Sequence, residues 1–256
     1  MNEKLKAFER LLVIMDELRA QCPWDKQQTF ESLRHLTIEE VYELGDAILE
    51  NDFDDVKKEL GDILLHVIFY AKIASEKNLF DITDVINREC EKLIHRHPHI
   101  YSDTKVESAE QVSKNWEQLK LKEGNKSVLG GVPASLPSMV KAMRIQEKAR
   151  SAGFDWETKA QVWEKVLEEL NEFKNEVAER NSEKMQNEFG DLIFSLINYA
   201  RFININPEEA LERTNIKFIK RFKYLEQSAT ENGKKLEEMT LAEMDKIWDE
   251  AKAKGL

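Results

Sequence analysis

One acidic pattern occurs twice in this chain with the same internal spacing. The first copy has two adjacent glutamates, a third glutamate three residues later and a distant Glu-x-x-Asp pair, and it consists of Glu39, Glu40, Glu43, Glu59 and Asp62. The second copy consists of Glu168, Glu169, Glu172, Glu188 and Asp191. Each residue recurs at the same offset of 129 positions, as Glu168 does after Glu39. A repeat of this kind predicts a chain built from two similar units.

Within each unit we expect two helices joined by a short turn. The three glutamates lie on the first helix, and the second helix begins around the Glu-x-x-Asp pair, with turns near residues 51–53 and near Asn181. Each second helix continues into an apolar run, at residues 63–71 and 192–200. A helix that is apolar nearly all round must be covered on every side. This indicates a bundle core and pairing of subunits.

Composition supports an all-α fold, which together with the repeat and the apolar helices predicts tandem, duplicated helical bundles that form a dimer. Only 9 glycines and 5 prolines interrupt a chain in which strong helix formers dominate. The segment 124–138 has the sequence GNKSVLGGVPASLPS and is rich in both residue types, as expected of a linker. We therefore predict an N-terminal domain at 1–123, a linker at 124–138 and a C-terminal domain at 139–256.

Charge and cysteine content exclude several classes of protein. A formal net charge of -11 disfavours nucleic acid as the main partner. The N-terminal segment is an amphipathic helix without a cleavage site, and the apolar runs are shorter than the roughly 20 residues that span a bilayer. Cys22 and Cys90 form no metal or redox pattern and suit reduced thiols. We expect a soluble, cytoplasmic protein with no membrane partner.

The carboxylates themselves predict a metal site. On a helix, Glu168, Glu169 and Glu172 occupy one arc of the surface, and a short turn brings Glu188 and Asp191 towards them. Carboxylates so close repel each other unless a cation lies among them. Oxygen ligands without histidine or cysteine suit Mg²⁺ or Mn²⁺ better than zinc. The natural substrate of such a site is a phosphate chain.

Longer stretches of the sequence resemble a known family. The strings CPWDKQQTFESLRHLTIEEVYELGDAI and LPSMVKAMRIQEKARSAGFDW, together with the paired acidic motifs, are similar to the MazG family of nucleotide pyrophosphohydrolases. That family lies within the all-α NTP pyrophosphatase superfamily, and the resemblance covers essentially the whole chain. It implies a dimer that hydrolyses nucleoside triphosphates between the α and β phosphates with Mg²⁺, in house-cleaning or regulation of the nucleotide pool.

The resemblance also implies roles for the acidic residues. The metal ligands of the second copy would be Glu169, Glu172, Glu188 and Asp191, with Glu168 as an outer group or a base for the attacking water. The first copy offers a second possible metal site, which consists of Glu40, Glu43, Glu59 and Asp62. For this first copy alone, a solvated acidic face remains an alternative.

Candidate phosphate-binding cations lie outside the acidic motifs. Lys217 and Arg221 are four residues apart on one predicted helix face, and with the family match they resemble phosphate binders, as does Lys184. Trp248 resembles a wall for the base or ribose. The first copy has Lys92 and Arg96 at the same spacing as Lys217 and Arg221.

One matched position distinguishes the two copies. The counterpart of Lys184 in the first copy is Asp55. Because an acid in place of a cation repels a triphosphate, we expect the C-terminal domain to be the main catalytic centre.

Acidic helical bundles also occur in two other classes of protein, a di-iron enzyme and a non-enzymatic adaptor. A di-iron carboxylate bundle requires Glu-x-x-His motifs, and no histidine here has a glutamate three residues before it. A non-enzymatic, acidic helical adaptor that binds a basic protein partner remains the alternative function, and Mg²⁺ titration would distinguish it from an enzyme.

His66 follows Asp62 by four residues, but its counterpart is Ser195, so we expect a packed core histidine.

Overall fold

A computed structural model describes residues 2–106, 108, 111–112, 115–116, 119 and 127–256 of the chain. The regular structure of these residues is α-helical apart from one short 3₁₀-helix, and the described residues contain no strand. The chain divides into two compact units, Met1–Glu107 and Ser108–Leu256. The predicted all-α fold is confirmed. The predicted linker lies partly outside the described residues, at 124–126, and the boundaries at 123/124 and 138/139 remain a prediction.

The first unit contains six helices among its described residues. They are α1 (Glu3–Gln21), α2 (Pro23–Gln27), α3 (Phe30–Glu50), α4 (Phe53–Glu76), α5 (Ile82–Arg96) and α6 (Pro98–Tyr101). α3 and α4 pack along each other, and α1 packs on α4. The apolar core of this unit is made by Met15, Leu33, Ile68, Phe69 and Ile73.

From residue 127 onwards, the second unit contains five α-helices and the 3₁₀-helix Leu236–Glu238. The α-helices are α7 (Ser138–Ser151), α8 (Lys159–Glu179), α9 (Ser182–Phe202), α10 (Pro207–Glu231) and α11 (Leu241–Ala253). α8 and α9 form the most extensive packing of the unit, and α7 packs against α9. α11 packs against α10.

The sequence repeat is reproduced in the local structure. α3 and α8 each have 21 residues, and each begins with a threonine capping box, at Thr29 and Thr158. The residues that follow α3 and α8, Asn51 and Arg180, are both in the left-handed conformation, with φ of 58° and 56°. The next residue in each copy caps the following helix with its side chain. The short turns expected between the two helices of each copy are therefore present, and they make each helix pair antiparallel.

Within the single chain, the second helix of each copy is covered on one face, and its predicted burial by a second chain remains a prediction. α4 buries Ile68 and Phe69 but exposes Leu60, Leu64 and Val67. α9 likewise buries one face, and its exposed large apolar residues are Phe189, Ile193, Phe194 and Leu196. Helices of the same unit pack on one face only, so an apolar face remains at the surface of each unit. No described helix combines the length and hydropathy that crossing a lipid bilayer requires.

Candidate active site

Three carboxylates of the second acidic motif converge between α8 and α9. One oxygen from each of Glu169, Glu172 and Glu188 lies within 4.8 Å of the others. Glu169 is buried, with 7% of its surface exposed, whereas Glu172 is exposed and Glu188 is half-buried. We call these three residues the C-terminal cluster. The regular period of the α-helix and the two-residue turn between α8 and α9 are sufficient to bring the three side chains together.

The first motif forms the same arrangement between α3 and α4. Oxygens of Glu40, Glu43 and Glu59 also lie within 4.8 Å of one another. We call these three residues the N-terminal cluster. Glu59 is only 1% exposed, and its Oε2 atom is buried without a hydrogen-bond partner. Each member occupies the position that corresponds to a member of the C-terminal cluster.

The aspartates of the two motifs lie outside these converging groups. Asp191 comes three residues after Glu188 and is therefore displaced along and around α9, and Asp62 has the same relation to Glu59 on α4. Both nevertheless act electrostatically on their cluster. Desolvation, followed by the charges of Glu172 and Asp191, raises the pKa of Glu188 above its ordinary value. The assignment of Asp191 and Asp62 as ligands remains a prediction.

In the N-terminal cluster, as in the C-terminal one, burial and neighbouring negative charges raise the pKa of a glutamate. Desolvation raises the pKa of Glu40, and the charges of Asp62, Glu43 and Glu59 raise it further. In both clusters the protein thus holds carboxylates where the charged forms are disfavoured. An oxygen-only donor set with this property suits a hard divalent cation.

Two lysines contact the clusters, and neither was expected from the sequence. Lys165 Nζ lies 2.7 Å from Glu169 Oε1 and 2.9 Å from Glu168 Oε1. Lys58 Nζ lies 2.6 Å from Glu59 Oε1 and 3.9 Å from Glu43 Oε2. Hydrogen bonding to the glutamates raises the pKa of each lysine. The four-residue spacing from Lys165 to Glu169 in the sequence is typical of helical ion pairs and could have predicted the contact between these two side chains.

The predicted cation Lys184 lies at the start of α9. Its Nζ is 3.4 Å from Glu176 Oε1, on the preceding helix, and Glu176 Oε2 is buried without a hydrogen-bond partner. Its counterpart Asp55 is exposed in the first turn of α4, where its backbone N–H donates to Asp52. The charge reversal between the copies therefore occurs at equivalent places in the fold.

The other predicted phosphate and base contacts form a separate group. Arg221 Nε donates to the backbone oxygen of Leu256 at 2.6 Å, and its guanidinium lies 5.9 Å from the centre of the Trp248 ring. Phe218 packs on the same ring at 5.0 Å. Lys217 is exposed on α10. These contacts place Arg221 and Trp248 where α10 packs against α11.

In the first unit, the corresponding basic pair lies on α5. Lys92 forms an ion pair with Glu89, one turn before it, and Arg96 is the last residue of the helix. Their assignment as phosphate contacts remains a prediction.

A cavity of about 610 Å³ opens beside the C-terminal cluster. Glu169, Asp191 and Lys165 line one part of it, and the aromatic rings of Phe154 and Trp156 line another. The remaining lining residues come from α7, α8, α9 and the segments that flank α7, and include Leu129, Gln146, Asp155, Phe194, Asn198 and Arg201. Neither Arg221 nor Trp248 is among them. In the sequence, Phe154 and Asp155 lie near the end of the string LPSMVKAMRIQEKARSAGFDW, and no role was predicted for either residue.

Gln146 is the polar residue that α7 contributes to this cavity. It is buried, and its Nε2 donates to the backbone oxygen of Phe194 at 2.8 Å. Because a carbonyl oxygen can only accept, this bond fixes the orientation of the amide. Gln146 Oε1 is left as a buried acceptor without a partner.

His66 is packed in the core, as predicted. It is buried, and its Nδ1 lies 2.8 Å from Thr37 Oγ1, which in turn lies 2.7 Å from the hydroxyl of Tyr70. Burial lowers the pKa of His66. The neutral ring therefore serves packing, and His66 is not part of the N-terminal cluster.

Comparison with known proteins gives the same family for both units. The model of the MazG nucleotide pyrophosphohydrolase domain matches residues 28–101 and again residues 157–225. The chain is 43% identical, over 98% of both sequences, to the nucleoside triphosphate pyrophosphohydrolase/pyrophosphatase MazG of Thermotoga maritima. It is 38% identical to the nucleoside triphosphate pyrophosphohydrolase of Escherichia coli K12, over 97% of this chain and 98% of that protein.

A solved structure is also similar to part of the chain. The crystal structure of a mazG-related protein from Thermotoga maritima is 30% identical in sequence and aligns with a TM-score of 0.40. The alignment covers 44% of this chain and 98% of that one.

Proposed function

Because this chain belongs to the MazG nucleotide pyrophosphohydrolase family, we propose that it hydrolyses nucleoside triphosphates to a nucleoside monophosphate and pyrophosphate in a Mg²⁺-dependent reaction. The observation that carries this proposal is the convergence of Glu169, Glu172 and Glu188 beside a cavity of ligand size. We assign the main activity to the second unit. We also propose that the protein clears or regulates the nucleotide pool.

The C-terminal cluster would hold the metal ion. Its donors are carboxylate oxygens only, and their mutual repulsion would be relieved by a dication. When bound, Mg²⁺ or Mn²⁺ supplies a positive charge for the phosphate oxygens and lowers the pKa of a water nucleophile. Asp191, which lines the adjacent cavity, is the fourth predicted ligand.

Other side chains of the second unit would bind and orient the substrate. Lys165 and Lys184 carry positive charges near the cluster and suit the oxygens of a triphosphate. Glu168, which is exposed and paired with Lys165, would orient the attacking water or accept its proton. Lys217 and Arg221 remain predicted phosphate contacts.

The cavity beside the cluster fits the nucleoside part of the substrate. Its volume of about 610 Å³ falls within the range of small-molecule sites, roughly 300–1,000 Å³. Phe154 and Trp156 present rings on which a base or ribose can pack. This arrangement offers an alternative to Trp248 as the wall of the nucleoside site.

We also propose that two copies of the chain associate. The exposed apolar residues of α4 and α9 lie on helices that bury their opposite faces, and repeated apolar faces of this kind are typical of surfaces that pair. A symmetric homodimer would remove them from water.

Product analysis tests the proposed reaction. The full chain, incubated with a nucleoside triphosphate and Mg²⁺, should release monophosphate and pyrophosphate in equal amounts, and chelation should stop the release. Formation of diphosphate and orthophosphate would contradict the proposal. A Glu172→Gln variant serves as the control for contaminating phosphatases.

A thermal-shift measurement distinguishes the enzyme from the acidic adaptor. Millimolar Mg²⁺ should raise the melting temperature, because the ion binds the folded clusters and not the unfolded chain. An adaptor that only presents an acidic surface to a basic protein has no reason to gain stability in this way.

A further inference from the structure

Each acidic cluster carries its own lysine, and the two lysines come from different positions of the repeat. Lys58 lies on α4, next to Glu59, whereas Lys165 lies on α8, one turn before Glu169. The counterpart of Lys58 in the second copy is Asn187, and the counterpart of Lys165 in the first copy is Leu36. The lysine contacts are therefore not a property of the duplicated motif.

Lys58 bridges the two helices of the N-terminal cluster. Its Nζ is 2.6 Å from Glu59 Oε1 on α4 and 3.9 Å from Glu43 Oε2 on α3. Both glutamates belong to the converging group. Glu59 is 1% exposed, and its other oxygen has no partner, so the lysine is the cation that compensates a deeply buried charge.

Lys165 contacts its cluster differently. Its two carboxylate partners, Glu168 and Glu169, are neighbours on a single helix. In the part of the chain that the structure describes, no lysine or arginine forms an ion pair with Glu172 or Glu188. The oxygens that face each other across α8 and α9 are therefore not bridged by a side-chain cation.

We propose that Lys58 is a resident counter-ion that competes with a divalent metal for the N-terminal cluster, so that this cluster binds the metal more weakly than the C-terminal cluster does. A metal ion bound by Glu43 and Glu59 would have to displace the ammonium group of Lys58 and then lie close to a second positive charge. Asn187, at the position that matches Lys58, imposes neither requirement, and Lys165 contacts only one member of the C-terminal cluster, Glu169. This inference rests on the proposed function, because it takes the clusters to be metal sites.

The test measures Mn²⁺ binding to the full chain, with free Mn²⁺ counted by electron paramagnetic resonance. Glu172→Gln and Glu188→Gln are combined to disable the C-terminal cluster, so that the remaining site is the N-terminal one. In this background Lys58→Asn should tighten Mn²⁺ binding about tenfold or more, since a neighbouring positive charge is removed. Lys57→Asn is the matched control, because Lys57 is adjacent but exposed and pairs with Asp54 instead.

A second readout separates this role from a purely structural one. Without metal, Lys58→Asn should lower the melting temperature, because Glu59 then has no cation, and saturating Mn²⁺ should restore it. A lysine that served only stability would produce the loss without tighter Mn²⁺ binding. Unchanged or weaker Mn²⁺ binding in Lys58→Asn overturns the inference.

The reverse exchange covers the case in which Lys58→Asn does not fold. Asn187→Lys, made in the otherwise unaltered chain, should weaken Mn²⁺ binding at the C-terminal cluster, and undiminished binding would overturn the inference. If Mn²⁺ binds neither cluster of the unaltered chain, the proposed function fails as well. If Mn²⁺ binds the C-terminal cluster and the lysine exchanges have no effect, only the present inference fails.

Discussion

Arg201 and Asp155 form a two-point ion pair that joins the end of α9 to the segment before α8. Arg201 Nη1 donates to Asp155 Oδ2 at 2.9 Å, and Nη2 donates to the other carboxylate oxygen. The two side chains are only 17% and 21% exposed, and both line the cavity beside the C-terminal cluster. The pair therefore holds one wall of the proposed nucleoside site to the helix that carries Glu188.

Replacing Asp155 by Asn should destabilise the second unit. The variant leaves a largely buried guanidinium without its charged partner. The free energy of unfolding, measured by urea titration, should therefore fall by about 1–3 kcal/mol. Burial raises the pKa of Asp155, but the hydrogen bonds and charge of Arg201 outweigh it and hold the pKa below its ordinary value. The stabilisation by this ion pair is thus fully present above the ordinary aspartate pKa. It is lost as the pH falls through the lowered pKa that Asp155 has in the folded protein.

The difference between the Asp155→Asn variant and the unaltered chain should accordingly shrink in acid. Arg150→Gln is the control, because Arg150 lies 3.8 Å from the same carboxylate but is mostly exposed, and its loss should change stability little. Equal effects of the two changes at neutral pH would contradict a special role for Arg201.

Glu172→Gln should reduce the release of pyrophosphate about 100-fold, whereas Glu43→Gln should leave most of it. Loss of one carboxylate from the C-terminal cluster weakens metal binding and misplaces the water nucleophile. Both glutamates are exposed members of equivalent clusters, so each serves as the control for the other. Turnover is measured at saturating Mg²⁺ on variants whose folding is verified by circular dichroism. A larger loss in Glu43→Gln would assign the chemistry to the first unit.

Charge exchange at the matched positions Lys184 and Asp55 should alter triphosphate affinity in opposite directions. Lys184→Ala should raise KM about tenfold, because one cation is lost from the phosphate site. Asp55→Lys should tighten binding of a non-hydrolysable triphosphate to the first unit. Lys246→Ala, an exposed lysine on α11, is a control for the overall charge. An unchanged KM in Lys184→Ala would remove this residue from the substrate site.

Trp156→Ala and Trp248→Ala distinguish the two candidate walls of the nucleoside site. If the base packs in the cavity, Trp156→Ala should raise KM about tenfold through lost ring contact, with a smaller change in Trp248→Ala. The measurement is steady-state kinetics with one triphosphate at saturating Mg²⁺. The opposite ranking would place the base against Trp248, beside Arg221, where α10 meets α11.

Light scattering at micromolar concentration should give a mass twice that of the chain. The exposed apolar residues of α9, among them Ile193 and Leu196, would be buried by a second copy. Ile193→Asp should therefore shift the equilibrium towards the monomer, because a charge would be buried without a partner. Exposed Leu241 lies on a different helix, and Leu241→Asp is its control. A monomer in the unaltered chain would contradict the dimer.

The sequence by itself determined the parts of this protein that depend on local spacing. Glu169 and Glu172 share a helix face because of the helical period, and the turns after α3 and α8 follow from residues at their ends. The repeat therefore predicted two helix pairs and the convergence of carboxylates across each turn. The packed state of His66 followed from Ser195 at the matched position.

Tertiary structure decided which side chains meet where helices pack against each other. The contact of Lys58 with Glu43 and the cavity lined by Phe154 and Trp156 depend on how closely and at what register helices pack. Side-chain periodicity says nothing about that register, because the same apolar face can pack against several neighbours. A long lysine side chain can also reach different carboxylates after small shifts of its helix, so only the packed chain defines its partners.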